Sequence, residues 1–281
     1  MVYIITGGAG YIGSHLAKQL LRSNHRVFVI DNFSNSSQTV FSGVTDDILE
    51  VSPVFEYPHR ETVDAIFHLA GTRSVIESWL NPIDTYEGNL LPLARALELL
   101  ESSAASTFVY CSSTDDGSPY SKSVRSCEEL IRDTAQLYPH KRFIILRCSN
   151  VYGGEDHSIK HHGVFEMMKR AAMTNIPFVI SESKSGDGSS SRDFIHIDDV
   201  VRAFLSVMSH PPGFFIYNVS SNRTTSIIEM VKSFSVKNRL NPVMGPQRMN
   251  DVSHPPADNT PMMNNLDWKP ISTHENGFWK V

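Results

Sequence analysis

The chain has 281 residues, 41% hydrophobic and 20% charged, with a formal net charge of −5. This is an ordinary folded composition, enough for one large domain or two packed closely together, and it excludes a disordered chain. Lysine and arginine are scattered rather than striped, so neither nucleic acid nor an anionic membrane is expected as the main partner.

Five short, almost continuously apolar runs read as buried strands: Val2–Ile5, Arg26–Ile30, Ala65–Leu69, Thr107–Cys111 and Phe143–Leu146. A further strand belongs somewhere in Ile48–Tyr57. Between these runs, Tyr11–Arg22, Ile83–Glu101 and Tyr120–Leu137 carry apolar residues at helical spacing. Strand–helix alternation predicts an α/β fold with a parallel sheet covered on both faces. After Asn150 the texture changes. Helices are expected near Val164–Thr174 and Asp198–Met208 and short strands at Phe178–Ile180 and Phe215–Val219, with loops at Ser181–Ser191 and His254–Pro261. The expectation is a nucleotide-binding domain over 1–150 and a smaller, interleaved C-terminal lobe over 151–281.

No apolar run approaches the ~18 residues of a membrane helix, and the opening MVYIITGGAG lacks the basic n-region of a secretory leader. The three cysteines, Cys111, Cys127 and Cys148, form no CxxC pair. A soluble cytoplasmic protein is expected, because such a set suits a reducing compartment.

The sharpest motif is Thr6-Gly7-Gly8-Ala9-Gly10-Tyr11-Ile12-Gly13, placed between the first strand and the first helix. Gly7 permits a tight turn, Gly10 a close approach of backbone to a pyrophosphate, and Gly13 close packing of helix on strand. The helix start then offers free N–H groups and a positive dipole end to phosphates. Asp31 closes the second strand, where a carboxylate can accept both adenosine ribose hydroxyls and would repel a 2′-phosphate. These residues predict a Rossmann-type doubly wound fold holding NAD in preference to NADP.

In series, TGGAGYIGSH, DNFSNS, HLAG at 68–71, SPYSKS, NVYG at 150–153, RDFIHIDDV at 192–200 and LDWKP at 266–270 resemble the blocks of the extended short-chain dehydrogenase/reductases. The resemblance is to their NAD-dependent nucleotide-sugar epimerases and dehydratases, and within them HLAGTRSVIES looks most like the UDP-glucose 4-epimerases. It implies transient oxidation of a sugar carbon by tightly held NAD, with a tyrosine taking the hydroxyl proton. Tyr120 matches that tyrosine. Ser113, or Thr114 if the register shifts by one, matches the hydroxyl residue that hydrogen-bonds the reacting oxygen. Tyr11, Ile12, Asn32, Leu69, Ala70, Gly71, Arg73 and Asn89, with Tyr120, join Gly7, Gly10, Gly13 and Asp31 as expected cofactor contacts. Asn150, Arg192 and Arg248 match positions that meet the diphosphate of a nucleotide sugar, for which an amide and two guanidinium forks are suitable donors. The resemblance also implies a homodimer, paired through the helices at Ile83–Glu101 and Tyr120–Leu137.

Two departures stand against the family pattern. Where it has lysine four residues after the tyrosine, this chain has Val124. Lys122 sits ~200° around the helix from Tyr120 and Arg125 ~140°, so neither takes the vacant direction. An ammonium ~4 Å from the phenol would contribute about 4 kcal/mol at an effective dielectric of ~20, or roughly three pKa units; Arg73 is the candidate to replace part of it. Second, only Asp115 to Pro119 separate Thr114 from Tyr120, where the family carries a longer loop that helps to wall the sugar site. Asp115 and Asp116 after Thr114 resemble the acidic pair of sugar-nucleotide dehydratases, although a solvated acidic turn is the preferred account of them. The expected activity is nucleotide-sugar 4-epimerisation, of a UDP-sugar by resemblance. The alternatives are 4,6-dehydration and a catalytically impaired NAD and nucleotide-sugar binder. No metal site is expected: His157, His161 and His162, and His254 near Asp251 and Asp258, lack ligand spacing. His196 is expected to be a buried structural residue and Asp198 the cap of the following helix.

Overall fold

The computed structural model describes residues 1–281 other than 45–48, 54, 58–60, 116, 158, 160–162, 182–189, 237, 247–254 and 272–281. In chain order the elements are β1 (Val2–Thr6), α1 (Tyr11–Arg22), β2 (Arg26–Ile30), β3 (Leu49–Ser52), β4 (Ala65–His68), α2 (Val75–Leu80), α3 (Pro82–Ser102), β5 (Thr107–Ser113), α4 (Pro119–Leu137), β6 (Arg142–Cys148) and β7 (Asn150–Tyr152). There follow α5 (Val164–Thr174), β8 (Phe178–Ser181), β9 (Ser191–His196), α6 (Ile197–Ser206), β10 (Gly213–Val219), β11 (Thr224–Ser226), α7 (Ile227–Ser235), β12 (Pro242–Gly245) and α8 (Thr260–Asn265).

Among the described residues, one sheet runs β10-β6-β5-β4-β1-β2-β3, with every neighbour parallel. The chain builds outward from β1 in one direction and from β4 in the other, so the crevice at the strands' C-terminal ends opens between these two. Alternate side chains on each strand point to opposite faces. On β6, Ile144 and Leu146 join the cluster that includes Leu16 and Leu20 of α1 and Val200 and Phe204 of α6. Phe143 and Ile145 join the opposite cluster with Leu93 and Leu100 of α3 and Ile131 of α4. Both faces are therefore covered, which is why these strands read as continuous apolar runs.

A smaller layer builds on this sheet. Strands β11, β9 and β7 pair in that order, β12 pairs with β8, and Tyr152, Phe165, Met168, Phe178, Phe194 and Phe234 form its core. Three expectations need correction. The strand expected at Phe215–Val219 belongs to the main sheet rather than the lobe, because β10 pairs with β6 from Gly213↔Arg142 to Val219↔Cys148. Ser191 and Thr260, expected in loops, open β9 and α8. Asp198 does not cap α6: the His196 ring does so, accepting from the Asp198 N–H. Asp198 stays in the first turn, where its charge still complements the helix dipole. Among the described residues, no helix is long and apolar enough to cross a membrane.

One buried charge fixes α4 against the sheet. Glu128 has a side chain only 1% exposed and accepts from the Ser112 hydroxyl of β5 at 2.5 Å, from Arg147 of β6 at 2.9 and 2.5 Å, and from Arg125 at 2.5 Å. Burial alone would raise its pKa, but hydrogen bonds from Arg147 and Ser112 and the charge of Arg125 hold it below the usual carboxylate value. Replacing Glu128 by Gln strands two guanidinium groups and is expected to cost about 3 kcal/mol in urea unfolding. A loss below about 0.5 kcal/mol would place the cluster with exposed surface pairs instead.

Candidate functional site

The glycine turn works by close approach. Gly7 has φ +69°, and a Cβ there would lie 2.6 Å from the Ala70 nitrogen at the end of β4. On the far side of the turn, a Cβ on Gly13 would lie 2.4 Å from the Gly7 carbonyl oxygen. Only hydrogen fits at either place, so the turn lies flat on the β1–β4 crevice with α1 directly above it. Gly10 is the N-cap of α1 and no side chain caps the helix, leaving first-turn N–H groups at Tyr11 and Ile12 for an anion.

Asp31 follows β2 and is 9% exposed. One carboxylate oxygen accepts from the Ala9 N–H (3.0 Å); the other accepts from the Phe33 N–H (2.9 Å) and the Ser36 hydroxyl (2.8 Å). The acid expected to meet a ribose thus also ties the glycine turn to the following loop. Its neighbour Asn32 is exposed and accepts from the Ser34 N–H. Leu69, Ala70 and Gly71 leave β4 beside Gly7, with the Leu69 N–H donating to the Thr6 carbonyl at 2.9 Å.

At the top of β5, Ser113 is the last strand residue and Thr114 follows it. Ser113 and Thr114 are both half-buried, and the Thr114 N–H donates to the Cys148 carbonyl at 3.1 Å. The short link between β5 and α4 closes on itself: the Asp115 N–H donates to the Ser113 hydroxyl, the Ser118 hydroxyl donates to Asp115, and Ser118 caps α4 through the Ser121 N–H, each at 3.0 Å. Pro119 then occupies the first helical turn, where its missing N–H costs nothing. Asp116 lies outside the described residues. Burial pushes the Tyr120 phenol well above its ordinary value; the Cys111 thiol and Asp115 add to the rise, while Ser113 and Arg73 oppose it. Val124 is 3% exposed and packed inward. Lys122 points to solvent and Arg125 is engaged with Glu128, so neither replaces a lysine at 124.

Asn89, buried on α3, receives the Thr72 N–H at 2.8 Å and donates to the Ser123 hydroxyl of α4 at 2.7 Å. It therefore braces the loop that carries Gly71 and Arg73. On the smaller layer, exposed Asn150 donates to the Asp193 carbonyl at 3.2 Å, and half-buried Arg192 to the Ser191 carbonyl at 2.9 Å. They occupy the adjacent strands β7 and β9. Arg248 lies outside the described residues. His196 is buried, as expected, with its ring edge-on to Tyr152 at 5.2 Å. His157 meets the exposed Glu155 at 3.1 Å; His161, His162, His254 and Asp251 lie outside the described residues.

Two arrangements were not anticipated from sequence. The i,i+3 spacing of Arg125 and Glu128 was a visible signal for the buried charge cluster. Nothing local marked the ion pair of Arg73 with Asp156, at 3.9 Å, because its halves come from loops far apart in the chain.

These features can be set beside known proteins. The profile of the NAD dependent epimerase/dehydratase family matches residues 3–220. UDP-glucose 4-epimerase from Erwinia amylovora is 27% identical over 96% of this chain and 93% of its own length, and that from Yersinia enterocolitica is 29% identical over 83% and 82%. The crystal structure of UDP-glucose 4-epimerase from Bifidobacterium longum in complex with NAD+ and UDP superposes with a TM-score of 0.87 at 23% identity, covering 99% of this chain and 96% of that one. With the family profile spanning most of its length, the chain belongs to the NAD dependent epimerase/dehydratase family.

Proposed function

We propose that the protein binds NAD along the β1–β4 crevice and interconverts UDP-hexoses at C4. The observation that carries the reading is the close approach of Gly7 to the end of β4, with Ser113 ending β5 and Tyr120 in the first turn of α4 at the same C-terminal edge of the sheet. The residues present fit a dinucleotide: flat backbone at Gly7 and Gly13, uncapped first-turn amides on α1 and an acid at the end of β2. Bound NAD would accept a hydride from the sugar and return it. The names of the relatives support a UDP-sugar as substrate, with Asn150, Arg192 and Arg248 as diphosphate contacts.

In this mechanism Ser113 holds the C4 oxygen while Tyr120 takes the hydroxyl proton and later gives it back. A phenol raised by burial, with Val124 in place of a cation, is a weak base at neutral pH. Turnover should therefore be slow and rise with pH. The closure of Asp115 by Ser118 favours epimerisation over dehydration, since the acid is already used in the turn. The buried Val124 also supports a second reading, a catalytically impaired binder of the same ligands.

One assay separates them. Purified protein incubated with UDP-glucose or UDP-galactose is expected to form the other epimer slowly, faster at pH 10 than at pH 6, and about a hundredfold faster after Val124→Lys, the effect of a fall of about two units in the phenol pKa. No conversion across this range by either protein would leave the binder. We further propose that the protein is a cytoplasmic homodimer. Ile83 and Leu91 on α3 are 72% and 63% exposed, apolar surface that a second copy can cover. Light scattering should give twice the chain mass; a monomer at micromolar concentration would contradict this.

A further inference from the structure

The chain leaving β7 turns sharply and crosses the same sheet edge that carries the glycine turn. Gly153 and Gly154 have φ +92° and +62°, a reversal that side chains resist, and a Cβ on Gly154 would lie 2.7 Å from the His15 ring of α1. The segment is therefore laid directly on that helix. The Tyr11 hydroxyl donates to the Gly153 carbonyl at 2.5 Å and the His15 ring to the Glu155 carbonyl at 3.2 Å. Both contacts engage side chains about one helical turn apart, not the first-turn amides of the helix. From the smaller layer, Lys169 of α5 donates to the Gly154 carbonyl at 3.4 Å.

Two further contacts carry the segment to either side of α1. Asp156, whose side chain is 6% exposed, meets the guanidinium of Arg73 at 3.9 Å, in the loop after β4. The Ile159 N–H donates to the Asn35 carbonyl at 3.1 Å, in the loop after β2 and next to the Ser36 hydroxyl that donates to Asp31. In the sheet, β4, β1 and β2 are consecutive. A chain that touches the loop after β4, the helix after β1 and the loop after β2 spans the C-terminal edge over all three strands, where a doubly wound fold holds its dinucleotide.

We propose that residues 153–157 form a strap across the cofactor crevice, latched by the Asp156–Arg73 ion pair, whose release limits the exchange of bound NAD. The assignment rests on the dinucleotide reading of that crevice. The pair suits a latch. Asp156 is sheltered from water, which strengthens its attraction for a guanidinium, while the Arg73 side chain is 38% exposed and has solvent to swing into. Neither residue belongs to the apolar clusters that cover the two faces of the sheet, so the latch opens without disturbing them.

The test follows cofactor exchange on the full chain. Bound NAD+ is chased with isotopically labelled NAD+, association is followed by stopped-flow fluorescence, and affinity is measured separately by competition. Asp156→Asn removes the latch, and His15→Ala removes the seat on α1. Each is expected to speed association and dissociation about tenfold while Kd stays within about threefold, the signature of a barrier rather than a contact. In the unaltered chain, saturating NAD+ should slow deuterium uptake in peptides covering 153–157. Exchange unchanged in either variant, faster dissociation matched by an equal loss of affinity, or strap peptides indifferent to NAD+ overturns the strap. No NAD+ uptake by any of the three proteins overturns the dinucleotide reading and the strap with it, whereas uptake with unchanged exchange overturns the strap alone.

Discussion

Everything at the site depends on a backbone contact with no room for a side chain. The turn after β1 lies against the end of β4, with a Cβ on Gly7 only 2.6 Å from the Ala70 nitrogen, and α1 crosses back over the turn at Gly13. That double approach brings the start of a helix and the C-terminal ends of β1 and β4 to one place. Backbone amides can then face an anion without a side chain between them. Asp31 reinforces the contact from β2 by holding the Ala9 N–H. A family of reactions can be built above such a floor, and which one this chain performs is set by what α4 and the β4–α2 loop place over it.

On that upper side the chain retains part of a catalytic arrangement and changes the rest. The phase of α4 is set by Glu128, gripped between β5 and β6, and Tyr120 stands in its first turn after the short link from β5. The same helix face buries Val124, so the phenol is oriented but lacks a charged neighbour on its own helix. Desolvation disfavours the phenolate.

The central sheet was legible because strands buried on both faces carry uninterrupted apolar sequence, as in Phe143–Leu146, and because the long helices are strongly periodic. The smaller layer was not. Strand β7 is three residues long, too short to show a period, and α7 was passed over although Ser226 and Glu229 form a complete capping box that its sequence displays. Phe215–Val219 was assigned to the wrong layer because strand pairing is non-local, and nothing within those residues specifies β6 as the neighbour. At the site, the glycine turn, Asp31, Tyr120 and the change at Val124 could be read directly. The end point of β5 at Ser113 and the contacts of Asn89 and Asp156 needed elements distant in sequence to be brought together.

The account stands or falls on the cofactor. Calorimetric titration of the purified chain with NAD+ and with NADH should show uptake of one equivalent of at least one form, or chemical analysis should find it already bound, with NADPH binding more weakly because a carboxylate at the end of β2 would repel a 2′-phosphate. If neither oxidised nor reduced NAD is taken up and none is carried through purification, the crevice is not a dinucleotide site and the chemistry built above it has no basis.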